Sequence, residues 1–154
     1  MSEVTKADVL AGIGEALETV TGLRVQQGSE LEEGRPELPL AQVYWLRSQT
    51  AAESANDRNT FAGLGWPQRW LEWVFRIDVR ASEAGFFGQA YGKMLTLEDA
   101  IEDALEEAAT GKPVFGVAGV GTARWTAEFV TWSGAGSTEP EAVGSRFEVV
   151  CRIG

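Results

Sequence analysis

The side chains that most often carry acid–base or metal chemistry are scarce in this chain. It has no histidine and a single cysteine, Cys151. Histidine is the usual general base near neutral pH, and with cysteine it supplies most transition-metal ligands. Catalysis would therefore have to run through carboxylates, lysine or serine. Two carboxylate pairs have a suggestive spacing: Glu98 with Glu102, and Asp99 with Asp103, each one helical turn apart. Such pairs can hold a hard divalent cation or share a proton. Nothing else in the sequence converges on them, and the solvated outer face of an amphipathic helix accounts for them as well.

Two glycine-containing stretches have spacings near those of phosphate-binding loops. Gly116-Val-Ala-Gly119-Val-Gly121-Thr122 reads GxxGxG instead of GxGxxG, and a strand is expected after it. Without a helix N-terminus there is no row of free N–H groups for a pyrophosphate, so a flexible link is the better reading. Thr110-Gly111-Lys112 lacks the first glycine of a Walker A loop and closes a helix instead of opening one. Cys151 alternates with Phe147, Val149 and Ile153, which makes it a small core hydrophobe with no imidazole to activate it.

Composition narrows the classes further. A chain of 154 residues is one domain by length, residues 1–154, and buries enough apolar surface to need no disulfide or metal. With 13 basic and 23 acidic residues its formal charge is −10, which argues against gripping nucleic acid by its phosphates. The same charge suits either simple solubility or a surface that DNA passes without sticking. The N-terminal Met-Ser-Glu-Val-Thr-Lys lacks a signal-peptide pattern, and no apolar run approaches the roughly 20 residues that span a bilayer. A cytoplasm-like compartment is expected, without a membrane, and later incorporation into a particle is compatible with it.

The elements that must position these residues begin with a helix. Thr5 and Asp8 form a cap-like pair ahead of Val9, Ile13, Leu17 and Val20, and Gly22 stops it. Leu23–Val25 reads as a short strand and Ala41–Arg47 as another. Ser48–Pro67 reads as a long polar loop, the kind that is usually functional or mobile. From Trp70 to Arg80 the alternation is clean, with Leu71, Trp73, Phe75, Ile77 and Val79 on one face and Glu72, Arg76, Asp78 and Arg80 on the other. That pattern predicts a long, half-buried antiparallel strand whose charged face could pair with a neighbouring subunit.

Residues 82–95 are glycine-rich and leave room for a small inserted hairpin or lobe. A second helix follows Thr96, with Leu97, Ile101, Leu105 and Ala108 inward and an acidic outer surface, and Gly111 and Pro113 end it. Val114–Ala118, Arg124–Trp132 and Gly144–Ile153 read as strands, with a turn-rich loop at 133–141. The expected fold class is α+β: an antiparallel sheet with two main helices on one face. Of the six tryptophans, Trp73 and Trp125 fall on inward phases. Trp66, Trp70 and Trp132 fall in a loop or on outward phases, where tryptophan marks interfaces.

This layout carries a resemblance. A helix ends in TGLRV (Thr21–Val25), a strand follows proline in PLAQVYWL (Pro39–Leu46), and then comes a variable polar loop. The long strand WLEWVFRIDVRA (Trp70–Ala81), the helix LEDAIEDALEEA (Leu97–Ala108) and a closing pair of strands complete it. The ordering resembles the tail terminator proteins of long-tailed bacteriophages, the group that includes the lambda tail terminator, and related neck proteins. It spans nearly the whole chain as a pattern of elements and lengths.

The resemblance implies an α+β subunit of a hexameric ring that caps the finished tail tube and presents the head-joining surface. Its partners would be further copies of itself, the tail-tube protein and a head-completion or neck protein. It would be no enzyme, need no cofactor or metal, assemble in the host cytoplasm and end in the virion at the head–tail junction. DNA would pass through without specific binding. On this reading Trp66, Trp70, Glu72, Arg76, Asp78 and Arg80 are the expected interface residues, and the edges of Trp70–Arg80 would meet a neighbour. Glu98, Glu102, Asp103 and Glu106 are the expected lumen-facing acidic surface. Alternatives are a tail-tube or head-completion protein of the same particle, a small-ligand-binding domain with an aromatic pocket of Trp45, Trp73 and Phe75, or a carboxylate enzyme using Glu98 and Glu102.

Overall fold

A computed structural model describes residues 3–28, 38–52, 69–83, 87–133 and 140–154. Of the expected site residues, Trp66 lies outside the described residues, as does the loop beyond Ala52. The chain is a single small α+β domain, with two α-helices and a five-stranded mixed sheet among the described residues.

Helix α1 spans Lys6–Glu18 and starts as its sequence predicts. The Asp8 amide donates to the Thr5 hydroxyl at 3.1 Å, and the Thr5 amide donates to the Asp8 carboxylate at 3.0 Å. This reciprocal capping box satisfies donors that the first helical turn leaves open. Strands β1 (Arg24–Gln27), β2 (Leu40–Ala52) and β3 (Arg69–Glu83) follow, then helix α2 (Phe87–Ala109), and finally β4 (Val120–Ser133) and β5 (Pro140–Ile153).

The sheet order is β1-β2-β3-β5-β4. All neighbours are antiparallel except β1 and β2, which run parallel with Arg24 opposite Leu40 and Gln27 opposite Val43. The expected all-antiparallel sheet is thus corrected at one edge. A hairpin would have made the pair antiparallel, and parallel neighbours need a crossover of a dozen or more residues.

Several boundaries differ from those read in the sequence, and β4 and β5 each begin four residues earlier than expected, at Val120 and Pro140. Ser48–Ala52 continues β2 instead of opening a loop, because it pairs residue by residue with Arg69–Trp73. Its Ser, Gln, Thr and Ala give little hydrophobic alternation, so pairing in the fold decides its state. Helix α2 begins at Phe87, not after Thr96, so part of the inserted lobe considered for 82–95 is helix. Thr96 sits inside it, with its hydroxyl donating to the Gly92 carbonyl at 3.1 Å. Met94 is buried in phase with Ile101 and Leu105, and the glycines at 88 and 92 hide that continuity. Finally, Val114–Gly116 is a single 3₁₀ turn, not a strand, with Phe115 at φ 54°.

That turn plugs the core. Val114 and Phe115 are buried, and helix α1 crosses them at Gly12, where a Cβ would stand 2.5 Å from the Phe115 carbonyl oxygen. One hydrophobic cluster unites Val9, Ile13 and Leu17 of α1, Ile101 and Leu105 of α2, and the inward phases of the strands: Val43, Phe75, Ile77, Phe147, Val149 and Cys151. The burial expected of Cys151 is present, and burial pushes its thiol up to about 12. Removing apolar surface of this kind from water contributes about 25 cal/mol per Å².

Candidate interaction face of the sheet

The opposite phase of the same strands carries the charged residues. Residues directly opposite one another in a ladder share a face. Strand registers therefore place Gln49, Glu72, Arg152 and Thr122 in one row, and Tyr44, Arg76, Glu148 and Thr126 in another. Gln42, Asp78, Arg146 and Glu128 make a third. Arg47, Arg124 and Arg80 join them, so nearly half of the chain's 13 basic residues stand on this face of an acidic protein.

Two carboxylates on the central strand are its fixed points. Asp78 accepts hydrogen bonds from the Tyr44 hydroxyl and from Arg146 Nε, both at 2.7 Å. Those contacts hold the Arg146 guanidinium more firmly protonated. Burial, reinforced by the Asp78 charge, raises the Tyr44 phenol above its usual value. Glu72 is 1% exposed and accepts from Arg124 Nη1 at 2.8 Å and Gln49 Nε2 at 3.0 Å. The Arg124 hydrogen bond is the main reason that its carboxyl sits below the ordinary glutamate value. A buried carboxylate left without such partners would instead be pushed up. Glu148, half-buried, lies between Arg47 at 3.5 Å and Arg76 at 3.9 Å, a longer and weaker arrangement.

Two tryptophans lie under arginines here. The Arg152 guanidinium stacks 4.9 Å from the Trp70 ring centre, and Arg80 stacks 4.7 Å from Trp132. Arg80 also donates to Gln42, and burial makes its proton easier to lose. Among the described residues, the buried N–H groups of Gln42 Nε2, Trp70 Nε1, Arg76 Nε and Arg152 Nε on the same face find no acceptor. Buried donors are normally paired, and orphans of this kind cost about 1–3 kcal/mol each.

The expected interface residues Trp70, Glu72, Arg76, Asp78 and Arg80 thus stand together on one face. The expectation that the edges of their strand meet a neighbour is corrected: β3 is the middle strand, hydrogen-bonded to β2 on one side and β5 on the other. On its face Trp70, Arg76 and Arg80 are half-buried, while Glu72, Val74 and Asp78 are buried. Sequence reasoning missed Gln42, Tyr44, Gln49, Arg146 and Arg152. Their outward phase could be read from alternation, but their cross-strand partners depend on a strand order that one sequence does not reveal.

The expected acidic surface divides in two. Glu98, Glu102 and Glu106 follow one another at four-residue intervals along one side of α2. Asp103 instead lines a groove of about 710 Å³ between α2 and the end of α1, with Lys93, Thr96, Glu107 and Thr19–Thr21. Burial, then the charges of Glu102 and Asp99, raises the Glu98 carboxyl. Among the described residues no group of three carboxylate or thiol side chains converges as a metal site would require. The residues considered for an aromatic pocket, Trp45, Trp73 and Phe75, differ widely in exposure. Phe75 is fully buried, Trp45 is 45% exposed, and Lys6 Nζ occupies the space over both tryptophan rings at 5.1–5.2 Å. No helix among the described residues is long and apolar enough to cross a membrane. No protein-family model matches the chain, and no curated protein matches it either.

Proposed function

We propose that this chain is a structural, ring-forming subunit of a long-tailed phage particle. In that role it would act at the head–tail junction as a tail terminator, capping the tail tube and presenting the head-joining surface. The observation that carries the reading is the outer sheet face. It is a built array of cross-strand ion pairs with half-buried tryptophans held under arginines, and a partner of complementary charge would cover it. The element order supports it as well, since helix, short strand, strand, long strand, acidic helix and closing strands recur as in the tail terminators the sequence resembles.

In this reading Trp70, Arg76 and Arg80 meet the neighbouring copy or the tail-tube protein through their face, and the buried Glu72 and Asp78 anchor the charged residues around them. The acidic side of α2 at Glu98, Glu102 and Glu106 is turned to the lumen, where its charge keeps passing DNA from binding. The ring is expected to hold six copies, joined by heterologous contacts that close.

The test is the solution mass by light scattering, with and without purified tail tubes, for the natural chain and for Arg76→Glu. A discrete six-copy species, or ring density at tube ends, that Arg76→Glu abolishes without changing the circular dichroism spectrum would support the reading. Rings unaffected by the substitution would remove Arg76 from the interface. Long tubes formed by the protein alone would make it the tube subunit instead. A chain that neither self-associates nor binds tail tubes would overturn the proposal.

A further inference from the structure

The sheet has two outer edges, and they differ. At one end β1 is only four residues long, and β2 beside it carries a bulge between Trp45 and Arg47. Short edge strands and bulges are the usual devices that keep an edge from pairing with another chain. At the other end β4 runs for 14 residues, and no described strand pairs with its outer side. Its irregularities fall at its two ends, between Val120 and Thr122 and between Trp132 and Ser133. Thr122–Trp132 between them is regular. It contains no proline and no lysine, the residues that most often blunt an edge.

We propose that this edge is the docking surface for the same strand of a second copy, in antiparallel register about a two-fold axis at Thr126. The pairing joins the two five-stranded sheets into one continuous sheet. The occupant follows from the sequence of the strand, which is self-complementary about that axis. On the outer face Arg124 stands opposite Glu128 of the partner subunit, and symmetry makes the same ion pair twice. Arg124 gives Nη1 to Glu72, yet its side chain is 60% exposed and has donors to spare. Thr126 faces Thr126 of the partner subunit, a pair that hydroxyls can bridge.

On the helix side, large meets small. Trp125 stands opposite Ala127 of the partner subunit, and Phe129 opposite Ala123 of the partner subunit. Any shift of register by two residues places like charges or two large rings closer together and loses this match. The flanking surface adds a reason for cover. Phe129 is 46% exposed and meets Tyr91 edge-on, with ring centres 6.0 Å apart, while Tyr91 is 44% and Leu95 41% exposed. An apolar patch beside an open edge is what a second copy would bury.

This inference stands apart from the ring reading, because it rests on the backbone edge of β4 and on none of the β3 residues assigned to the ring contact. The experiment is light scattering over a wide concentration range on the natural chain and on Thr126→Lys, joined to cysteine cross-linking. Thr126 is exposed, so lysine is tolerated by the fold while setting two ammonium groups together on the axis. The expected result is a dimer for the natural chain and at least a ten-fold weaker one for Thr126→Lys, with an unchanged circular dichroism spectrum. Under mild oxidation Thr126→Cys should become a disulfide-linked dimer, whereas Thr122→Cys, off the axis, should not. A natural chain monomeric at every concentration overturns the proposal, as does a dimer or ring unchanged by Thr126→Lys. Equal cross-linking at the two positions overturns the register.

Discussion

Replacing Glu72 by glutamine should destabilise the protein near neutral pH and do so much less in acid. The side chain is 1% exposed and accepts from Arg124 at 2.8 Å and Gln49 at 3.0 Å. Glutamine keeps the shape but removes the charge, and its amide nitrogen must then face one of two donors. A hydrogen bond to a charged group contributes about 1.5–3 kcal/mol. Arg124 is 60% exposed, which screens its share toward the small value of a surface pair. The net loss should be about 1–2 kcal/mol, or a fall in Tm of roughly 2–8 °C for a chain of this size. Because the folded carboxyl is held below its usual value, its contribution is fully present above the unfolded pKa of about 4.3 and disappears as pH falls through the folded value. Urea unfolding of both proteins, followed by circular dichroism from neutral pH down to about pH 3, therefore gives a gap that closes in acid. An equal gap at all pH values would refute the ionic account, and no gap at neutral pH would refute the role of Glu72 altogether.

Two further substitutions test the packing. Gly144→Ala should cost about 3 kcal/mol or more, because the added methyl would overlap the Val79 carbonyl oxygen beside the irregularity between Arg80 and Ser82. A urea midpoint close to that of the natural chain would show that the strands can part there cheaply. Cys151 should be inert to thiol reagents at about pH 8 and react only after unfolding, since burial holds its pKa up to about 12 against about 8.5 in the open chain. The sign follows: above about 8.5 the unfolded thiol ionises first, so stability should fall as pH rises, and Cys151→Ala should flatten that fall. Rapid labelling of the native protein would refute it.

What could be read from the sequence was local. The Thr5–Asp8 cap, the inward phase from Trp73 to Val79 (though not Leu71, which is 40% exposed), the core stripe of Leu97, Ile101 and Leu105 and the burial of Cys151 all depend on neighbours a few residues apart. The site was legible only as one strand's outward phase. Its chemistry joins Gln49 to Glu72, Glu72 to Arg124, and Asp78 to both Tyr44 and Arg146. Those separations span up to 68 residues, and periodicity carries no information about register at such distances. The first turns of α2 were hidden for a different reason: Gly88 and Gly92 lower helix propensity, while packing around Met94 overrides it.

The place of β5 between β3 and β4 bears on how the protein is made. A ribosome delivers β4 before β5, so β4 emerges without the one strand it pairs with and β3 with one side open. Until residues 140–153 have left the exit tunnel, the sheet can hold only β1, β2 and β3, and α2 has half of its floor. Loss of that last strand would therefore strip β4 along with it, leaving two adhesive ribbons in a crowded cell. A stalled or trimmed product of this chain should thus be cleared or aggregate, and should not survive as a smaller folded domain.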